Sequence, residues 1–375
     1  MRRASILITL FLLGTVVAAP ALAIEAGGEA KILLSGILPE DGGLEREIED
    51  SLDLELLLPR IGNTEFSSAF RISKPLQDLF ADEKAVYFAK KLYIKHKFAK
   101  LRLTVGRQPV SWSFGSLLNP VDYTLGSVAL DEENNSKYTD AVDFYIPLNW
   151  NSSLELVASY PAGFTPEEEK LKWGLRARAG IKGYDLTLNY VREAEVSGAT
   201  GGVLDDVLRF IPRQRGGFTF KGDLGGFGVY GAYGCYFDEG IEQSNSYLIG
   251  ADYSYNLNYN TKITMQLEYL GVEPGFLEPS LRAELLKMKS GDKRLDFLTG
   301  SIKYPLDDFS SVSLMTMADL DDGSLFLTPG YQTTLTGNFG LEINATIFWG
   351  KEETLFAPGD STPEAIITTS LSYSF

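Results

Sequence analysis

The sequence ends on the stretch AIITTSLSYSF, residues 365–375, and its pattern predicts a β-strand. Apolar and polar side chains alternate along it. One face carries Ile367, Thr369, Leu371, Tyr373 and Phe375, and the other carries Ile366, Thr368, Ser370, Ser372 and Ser374. Alternation of period two is typical of a strand with an apolar medium on one side and water on the other. The final strand therefore predicts a sheet with two unlike faces.

The same rhythm recurs through the chain and predicts 18 strands, with 16 as the alternative count. They are expected at 29–36, 51–58, 64–72, 85–97, 100–108, 140–147, 152–160, 172–181, 184–192, 213–221, 226–237, 246–256, 261–270, 295–304, 310–319, 324–335, 340–349 and 365–375. Every second connection is a short turn, and most others are long and acidic. The long ones include 37–50, 109–139, 161–171 and 350–364.

Two kinds of all-β protein would show this rhythm. A secreted sandwich places an apolar core between its sheets, whereas a transmembrane barrel turns its apolar face to lipid and encloses a polar lumen. Polar residues on the non-apolar faces favour the barrel, namely Asp53, Glu55, Asp185, Asn189, Asp252, Gln266, Glu268 and Asn344. We therefore predict an all-β, transmembrane antiparallel barrel with short periplasmic turns and long extracellular loops.

Composition excludes several classes of protein. Among 375 residues, 50 acids outnumber 34 bases, so the net charge of −16 disfavours nucleic-acid binding. One Cys and one His are too few for a disulfide or a typical zinc site. His96, between Lys95 and Lys97, is expected at a strand end near the membrane interface. The sequence thus predicts no enzyme, no cofactor and no metal site.

The N-terminus has the features of an export signal. Arg2 and Arg3 supply positive charge, residues 6–17 are apolar, and Ala21-Leu22-Ala23 forms a small-residue cleavage site. We expect residues 1–23 to be removed and residues 24–375 to form the barrel. The apolar run is short for a transmembrane helix, which needs about 20 residues.

Two segments resemble known outer-membrane proteins. Residues 101–124, LRLTVGRQPVSWSFGSLLNPVDYT, resemble a pattern of Gram-negative porin-like barrels, and alginate-export-like barrels share its Gly-Arg-Gln part. Trp112-Ser113 departs from the Trp-Gly frequent in that pattern. The last strand, ending on Tyr373 and Phe375, resembles their terminal assembly signal. The resemblance implies outer-membrane lipid, lipopolysaccharide, the barrel-assembly machinery and small hydrophilic solutes as partners. It leaves the oligomer open, a trimer included.

Alternation assigns a set of cations to the lumen. They are Arg71, Lys91, Lys95, Arg102, Arg176 and Arg178. Lys90 is expected to face lipid, because it neighbours Lys91 along the strand. The face of Arg107 stays open, because Pro109 marks a bulge or a strand end there. Each cation alone is an ordinary solvated lumen residue, but together they predict a basic wall.

The connection 109–139 is the longest, and it carries Asp122, Asp131, Glu132 and Glu133. In the porins that the chain resembles, the loop at this place folds inward and narrows the channel. Its acids would then face the basic wall and set a field across the constriction. The alternative is a solvated surface loop, like the one that holds residues 167–169.

Three functions remain. The first is a porin for passive diffusion of small hydrophilic solutes. The second is a dedicated channel for an anionic solute or acidic polysaccharide, which the basic wall favours. The third is a surface structural protein or adhesin that uses the barrel as an anchor.

Overall fold

The computed structural model describes most of the chain. Described are residues 24–39, 43–76, 85–110, 112, 138–160, 171–192, 214–236, 245–258, 261–273, 294–351, 354–356 and 363–375. The expected export signal, residues 1–23, lies outside them. Among the described residues, no helix is long and apolar enough to cross a membrane.

The described residues form 18 strands. They are β1 (Glu25–Pro39), β2 (Glu45–Leu57), β3 (Thr64–Ser73), β4 (Val86–Lys97), β5 (Arg102–Pro109), β6 (Tyr138–Asn149), β7 (Ser152–Tyr160), β8 (Lys172–Ile181), β9 (Tyr184–Arg192), β10 (Gln214–Leu224), β11 (Phe227–Tyr236), β12 (Asn245–Asn256), β13 (Lys262–Val272), β14 (Leu295–Pro305), β15 (Ser310–Asp319), β16 (Leu325–Thr336), β17 (Phe339–Trp349) and β18 (Pro363–Ser374).

The strands close into one antiparallel ring. Each strand pairs with its neighbours in sequence, and β1 also pairs with β18 from Glu29↔Ser374 to Pro39↔Pro363. A ring has no edge strand, so no row of backbone donors and acceptors stays unpaired. The predicted all-β barrel of 18 strands is confirmed, and the alternative count of 16 is wrong.

The connections alternate between the two ends of the barrel, with one departure from the prediction. The short turns lie at the end that holds both termini, where Glu25 pairs with Leu57. The predicted long loop 37–50 is wrong, because β1 continues to Pro39 and β2 begins at Glu45. These two strands pair as far as Ile37↔Glu45, so acidic residues that resemble a loop belong to a paired strand.

One short turn shows how the chain reverses without a glycine. In the connection 306–309, Asp307 Oδ1 accepts hydrogen bonds from the backbone N–H of Phe309 at 2.8 Å and of Ser310 at 2.7 Å. The Ser310 hydroxyl donates to Asp307 Oδ2 at 2.6 Å. These bonds, the Ser310 hydroxyl first, hold the pKa of the Asp307 carboxyl below its usual range. The charged carboxylate thus replaces a backbone acceptor in the turn.

The two faces of the ring differ in chemistry, as the alternation predicts. The outer face exposes large apolar side chains, among them Leu34, Leu188, Ile249 and Leu267. The inner face holds the charged pairs, since Asp53 lies opposite Arg71 and Glu155 lies opposite Arg176. An apolar exterior around a polar interior is the arrangement of barrels that stand in lipid.

Phe375 completes the join between the last strand and the first. Its backbone N–H donates to Gly28 O, and Gly28 N–H donates to Phe375 O, both at 3.0 Å. Its ring lies over Gly28, where a Cβ would meet Phe375 Cζ at 2.7 Å. The ring centroid of Tyr373 lies 6.2 Å from that of Phe375 and 4.7 Å from that of Phe339. An outward aromatic cluster thus covers the join at the short-turn end.

We expect Phe375→Asp to hinder assembly and to weaken the closed barrel. The substitution removes the ring from Gly28 and puts a charge on the apolar face, at a cost of roughly 1–3 kcal/mol. The measurement is the fraction of heat-modifiable folded barrel and its thermal midpoint. Ser372→Asp is the matched control, because Ser372 faces inward opposite Lys31. Equal folded fractions for the two variants would contradict the role given to Phe375.

Candidate functional site

The candidate site is the inner wall formed by β2 to β9, which carries the six cations predicted from the sequence. The structure gives five of them a carboxylate partner on another strand, at most two strands away. The partners are Asp53 for Arg71, Glu55 for Lys91, Glu65 for Lys95, Glu155 for Arg176 and Asp185 for Arg178. The wall is therefore a set of cross-strand ion pairs rather than a purely basic surface.

Asp53 is the most heavily engaged of these carboxylates. Arg71 donates from Nε to Oδ1 and from Nη2 to Oδ2, each at 2.8 Å, which makes the pair bidentate. Lys90 Nζ donates to Oδ2 of the same carboxylate at 3.1 Å. Arg71 and Lys90 are both about 8% exposed. One carboxylate on β2 therefore fixes cations from β3 and β4.

Lys90 faces inward, so the expectation that it faces lipid is wrong. Ala69 pairs with Lys91 and Phe70 pairs with Ala89, which leaves Lys90 without a residue opposite it. This register shift is a β-bulge, and a bulge breaks the alternation of faces by one residue. Lys90 and Lys91 consequently reach Asp53 and Glu55, which share one face of β2.

Further ion pairs continue toward the short-turn end. Lys91 Nζ lies 3.2 Å from Glu55, and Glu65 lies 3.3 Å from both Lys95 and Lys97. Between Asp53 and the short turns, six cations of the inner face on β3 to β5 meet three carboxylates on β2 and β3. This part of the wall therefore keeps an excess of three positive charges.

Arg102 differs from the other cations because it has an aromatic partner. Its guanidinium lies over the ring of Tyr145, 4.2 Å from the centroid, and the two residues are opposite each other in the β5–β6 register. Its Nε is buried and has no hydrogen-bond partner among the described residues. Arg107, whose face the sequence left open, forms a two-point ion pair with Asp140 at 3.0 and 3.2 Å.

A buried polar network lies across the ring on β11 to β13. The Tyr230 hydroxyl donates to Glu268 Oε1 at 2.7 Å, and Gln266 Nε2 donates to Tyr230 Oη at 2.6 Å and to Glu268 Oε1 at 3.0 Å. Tyr230 lies over Gly250, where any Cβ would meet its ring. Since β4 and β13 are nine strands apart in a ring of 18, this carboxylate lies opposite the cation-rich wall.

The connection 109–139 begins on the inner side of the barrel. Val110 and Trp112 are buried, at 5% and 4% exposure, within an apolar cluster of inward-facing residues. Its other members are Ala141, Val157, Val191, Tyr230, Ala232, Leu248, Leu270, Val272, Leu295, Phe297 and Met317. Asp122, Asp131, Glu132 and Glu133 lie outside the described residues.

Sequence reasoning found the cations but not the contacts that they form with carboxylates. Asp53, Glu55 and Asp185 were predicted to point inward without an assigned contact, and Glu65 and Glu155 were not singled out. Alternation of period two could have placed Glu65 on the face of Arg71, since the two residues are six positions apart. Among the described residues, no three His, Cys, Asp or Glu residues are arranged to hold a metal ion.

Comparison with solved structures relates this fold to known barrels. OccAB3 of Acinetobacter baumannii aligns with a TM-score of 0.55 and 11% identity, covering 95% of this chain and 100% of that chain. A mutant of the Rh. blastica porin aligns with a TM-score of 0.48 and 16% identity, covering 94% and 100%. The loop L8 deletion mutant of OmpT, an outer membrane protein of Vibrio cholerae, aligns with a TM-score of 0.46 and 9% identity. The alignment covers 94% of this chain and 99% of that chain.

Sequence comparisons add no relative. No family model matches the chain. No curated protein matches it either. The likeness to OccAB3 therefore shows the fold, and the residues of the inner wall must supply the argument for function.

We expect Asp53→Asn to destabilise the barrel more than Glu55→Gln does. The first substitution leaves two nearly buried cations without their carboxylate, whereas the second releases only the more exposed Lys91. The expected loss is about 1–3 kcal/mol for Asp53→Asn and less than about 1 kcal/mol for Glu55→Gln. Denaturant unfolding of the barrel in detergent micelles measures both. Equal losses would show that Asp53 does not join the three strands.

Proposed function

We propose that this chain is an outer-membrane porin that forms a water-filled channel for passive diffusion of small hydrophilic solutes. The observation that supports the proposal best is the closed ring of 18 strands with charged pairs inside and apolar side chains outside. Barrels with about 8 strands fill with side chains, whereas those with 16–18 leave an aqueous channel. The proposal requires no cofactor and no energy input.

The proposed setting follows from the same features. Residues 1–23 would direct export and be cleaved, and residues 24–375 would insert into the outer membrane of a Gram-negative bacterium. The assembly machinery would recognise the last strand with Tyr373 and Phe375. The short turns would face the periplasm with both termini, and the long connections would face lipopolysaccharide and the medium.

A preference for anions is the second candidate. The part of the wall on β2 to β5, from Asp53 to the short turns, carries six cations and three carboxylates, and Glu268 on the opposite side of the ring is held in a hydrogen-bonded network. An excess of fixed positive charge in a narrow passage raises the local concentration of anions. Anionic solutes or acidic polysaccharides would then pass faster than cations of equal size.

The connection 109–139 is proposed to narrow the channel. The burial of Val110 and Trp112 against inward-facing residues supports this, because the connection starts inside the ring. Asp122, Asp131, Glu132 and Glu133 would then lie opposite the cation-rich wall of Arg71, Lys91, Lys95, Arg102, Arg176 and Arg178. At a few ångströms such pairs are worth about 1 kcal/mol in open water and several times more in a partly desolvated constriction.

We expect the purified protein to conduct ions in a planar lipid bilayer. Stepwise current increases that scale with KCl concentration are the expected result, because a water-filled ring needs no opening signal. A reversal potential in a KCl gradient then gives the preference for anions or cations. An adhesin that uses the barrel as an anchor predicts the opposite, a folded protein without conductance.

We expect Asp131→Asn, Glu132→Gln and Glu133→Gln together to shift selectivity toward anions and to change single-channel conductance. The physical reason is the loss of three negative charges opposite the basic wall. The matched control neutralises Glu167, Glu168 and Glu169, which lie in a connection assumed to be external. That control should produce only a salt-screened surface effect. Identical behaviour of the two triple variants would refute the infolded connection.

A further inference from the structure

The inner face of the ring is divided into a packed part and an open part. Toward the long connections, inward-facing residues such as Val191, Leu248 and Phe297 are almost fully buried in the apolar cluster. Nearer the short turns, inward-facing polar residues are exposed, among them Gln332, Thr334 and Glu342 on β16 and β17. The open part of the lumen therefore lies toward the short turns, and β16–β18 and β1–β3 form one side of it.

A polar recess of about 460 Å³ occupies this open side. Its charged lining comes from Glu29, Lys31, Asp53, Arg71 and Glu342, and serine and threonine hydroxyls lie between these groups. The recess spans the join between β18 and β1, since Lys31 pairs with Ser372 and Ser372 pairs with Gly340. Glycine at 340 keeps the floor open, because a Cβ there would lie 2.8 Å from the Ser372 hydroxyl.

The positive and negative charges of the recess are balanced in number. Lys31 and Arg71 lie on the side of β1 and β3, and Lys90 adds a third cation through its contact with Asp53. The three carboxylates Glu29, Asp53 and Glu342 oppose these three cations, so the recess has no excess charge. A site of this kind favours a solute that carries both charges over an ion of either sign.

Glu342 is the carboxylate of the recess that lies on the opposite side from Lys31 and Arg71. It lies on β17, and its Oε1 accepts a hydrogen bond from Asn344 Nδ2 at 2.8 Å, which holds the carboxylate on the inner face. In the register, Glu342 pairs with Ser370 and Ser370 pairs with Leu33, two residues beyond Lys31. Two strand spacings of about 4.8 Å separate the backbones of β17 and β1, a span that two long side chains and a small solute can bridge.

We propose that this recess binds small zwitterionic solutes of the amino-acid class on their way through the channel. Glu342 receives the ammonium group, the Lys31 and Arg71 side receives the carboxylate, and the hydroxyls of β18 contact the polar parts between them. The inference rests on the proposed channel function and specifies its solute. All the charged groups and hydroxyls that it invokes belong to described residues.

The test uses three solutes of similar size in proteoliposome swelling: L-glutamine as the zwitterion, N-acetyl-L-glutamine as the anion and L-glutaminamide as the cation. The wild type should pass glutamine fastest, with a rate that saturates with concentration. Glu342→Gln and Lys31→Gln should each lower the glutamine rate about two- to fivefold, the usual factor for one exposed ion pair. Asp223→Asn is the matched control, since it removes an exposed inward carboxylate of β10 outside the recess.

Exchanging the charges of Lys31 and Glu342 distinguishes a loss of solute recognition from a loss of folding. Lys31→Glu combined with Glu342→Lys keeps the recess neutral, so the double variant should recover the preference for glutamine that each single variant loses. Similar rates for the three solutes in a conducting wild type would overturn the inference but leave the channel standing. Equal effects of Glu342→Gln and Asp223→Asn would also overturn it. A wild type without KCl conductance would overturn the channel and the inference together.

Discussion

The structure depends on one constraint: a sheet surrounded by apolar medium must pair all of its backbone N–H and C=O groups within itself. The chain meets it by pairing β1 with β18 as well as with β2. Closure then fixes the rest. Eighteen antiparallel strands bring both termini to one end, and every strand must keep the same face inward. Ion pairs such as Asp53 with Arg71 form because closure sets polar faces side by side around water.

Most of the fold could be predicted from the sequence because strand alternation and turn chemistry are local. The last strand illustrates this, since the face of Tyr373 and Phe375 is legible from residues 365–375 alone. The hairpin of β1 and β2 shows the limit. Glu45, Glu47 and Glu49 look like a loop by composition, yet they alternate with Arg46 and Ile48 and pair with β1. A charge-rich end of a strand has no local signal in the sequence that distinguishes it from a loop.

The site was predictable only as a set of inward residues. Arg71 and Asp53 follow from alternation, but their bidentate contact depends on a register between two strands that no local pattern fixes. The prediction for Lys90 fails for another reason, because Lys90 is the extra residue of a β-bulge opposite the step from Ala69 to Phe70, and the bulge turns it to the other face. The glutamate of the Tyr230 network, Glu268, was predicted to point inward. Its burial depends on residues from three strands and so stays hidden in any single segment.

The recess between β16–β18 and β1–β3 has a consequence for how the chain acquires its selectivity. Its lining residues stand at opposite ends of the sequence: Lys31 is near the start of the described chain, and Ser372 is near its end. Contacts of such large sequence separation form late and cooperatively, because a long loop must be closed first. An open sheet that contained every other strand pair would hold no such recess. Recognition of a solute is thus a property of the completed ring, and a chain shortened at either end loses it even where the remaining strands fold.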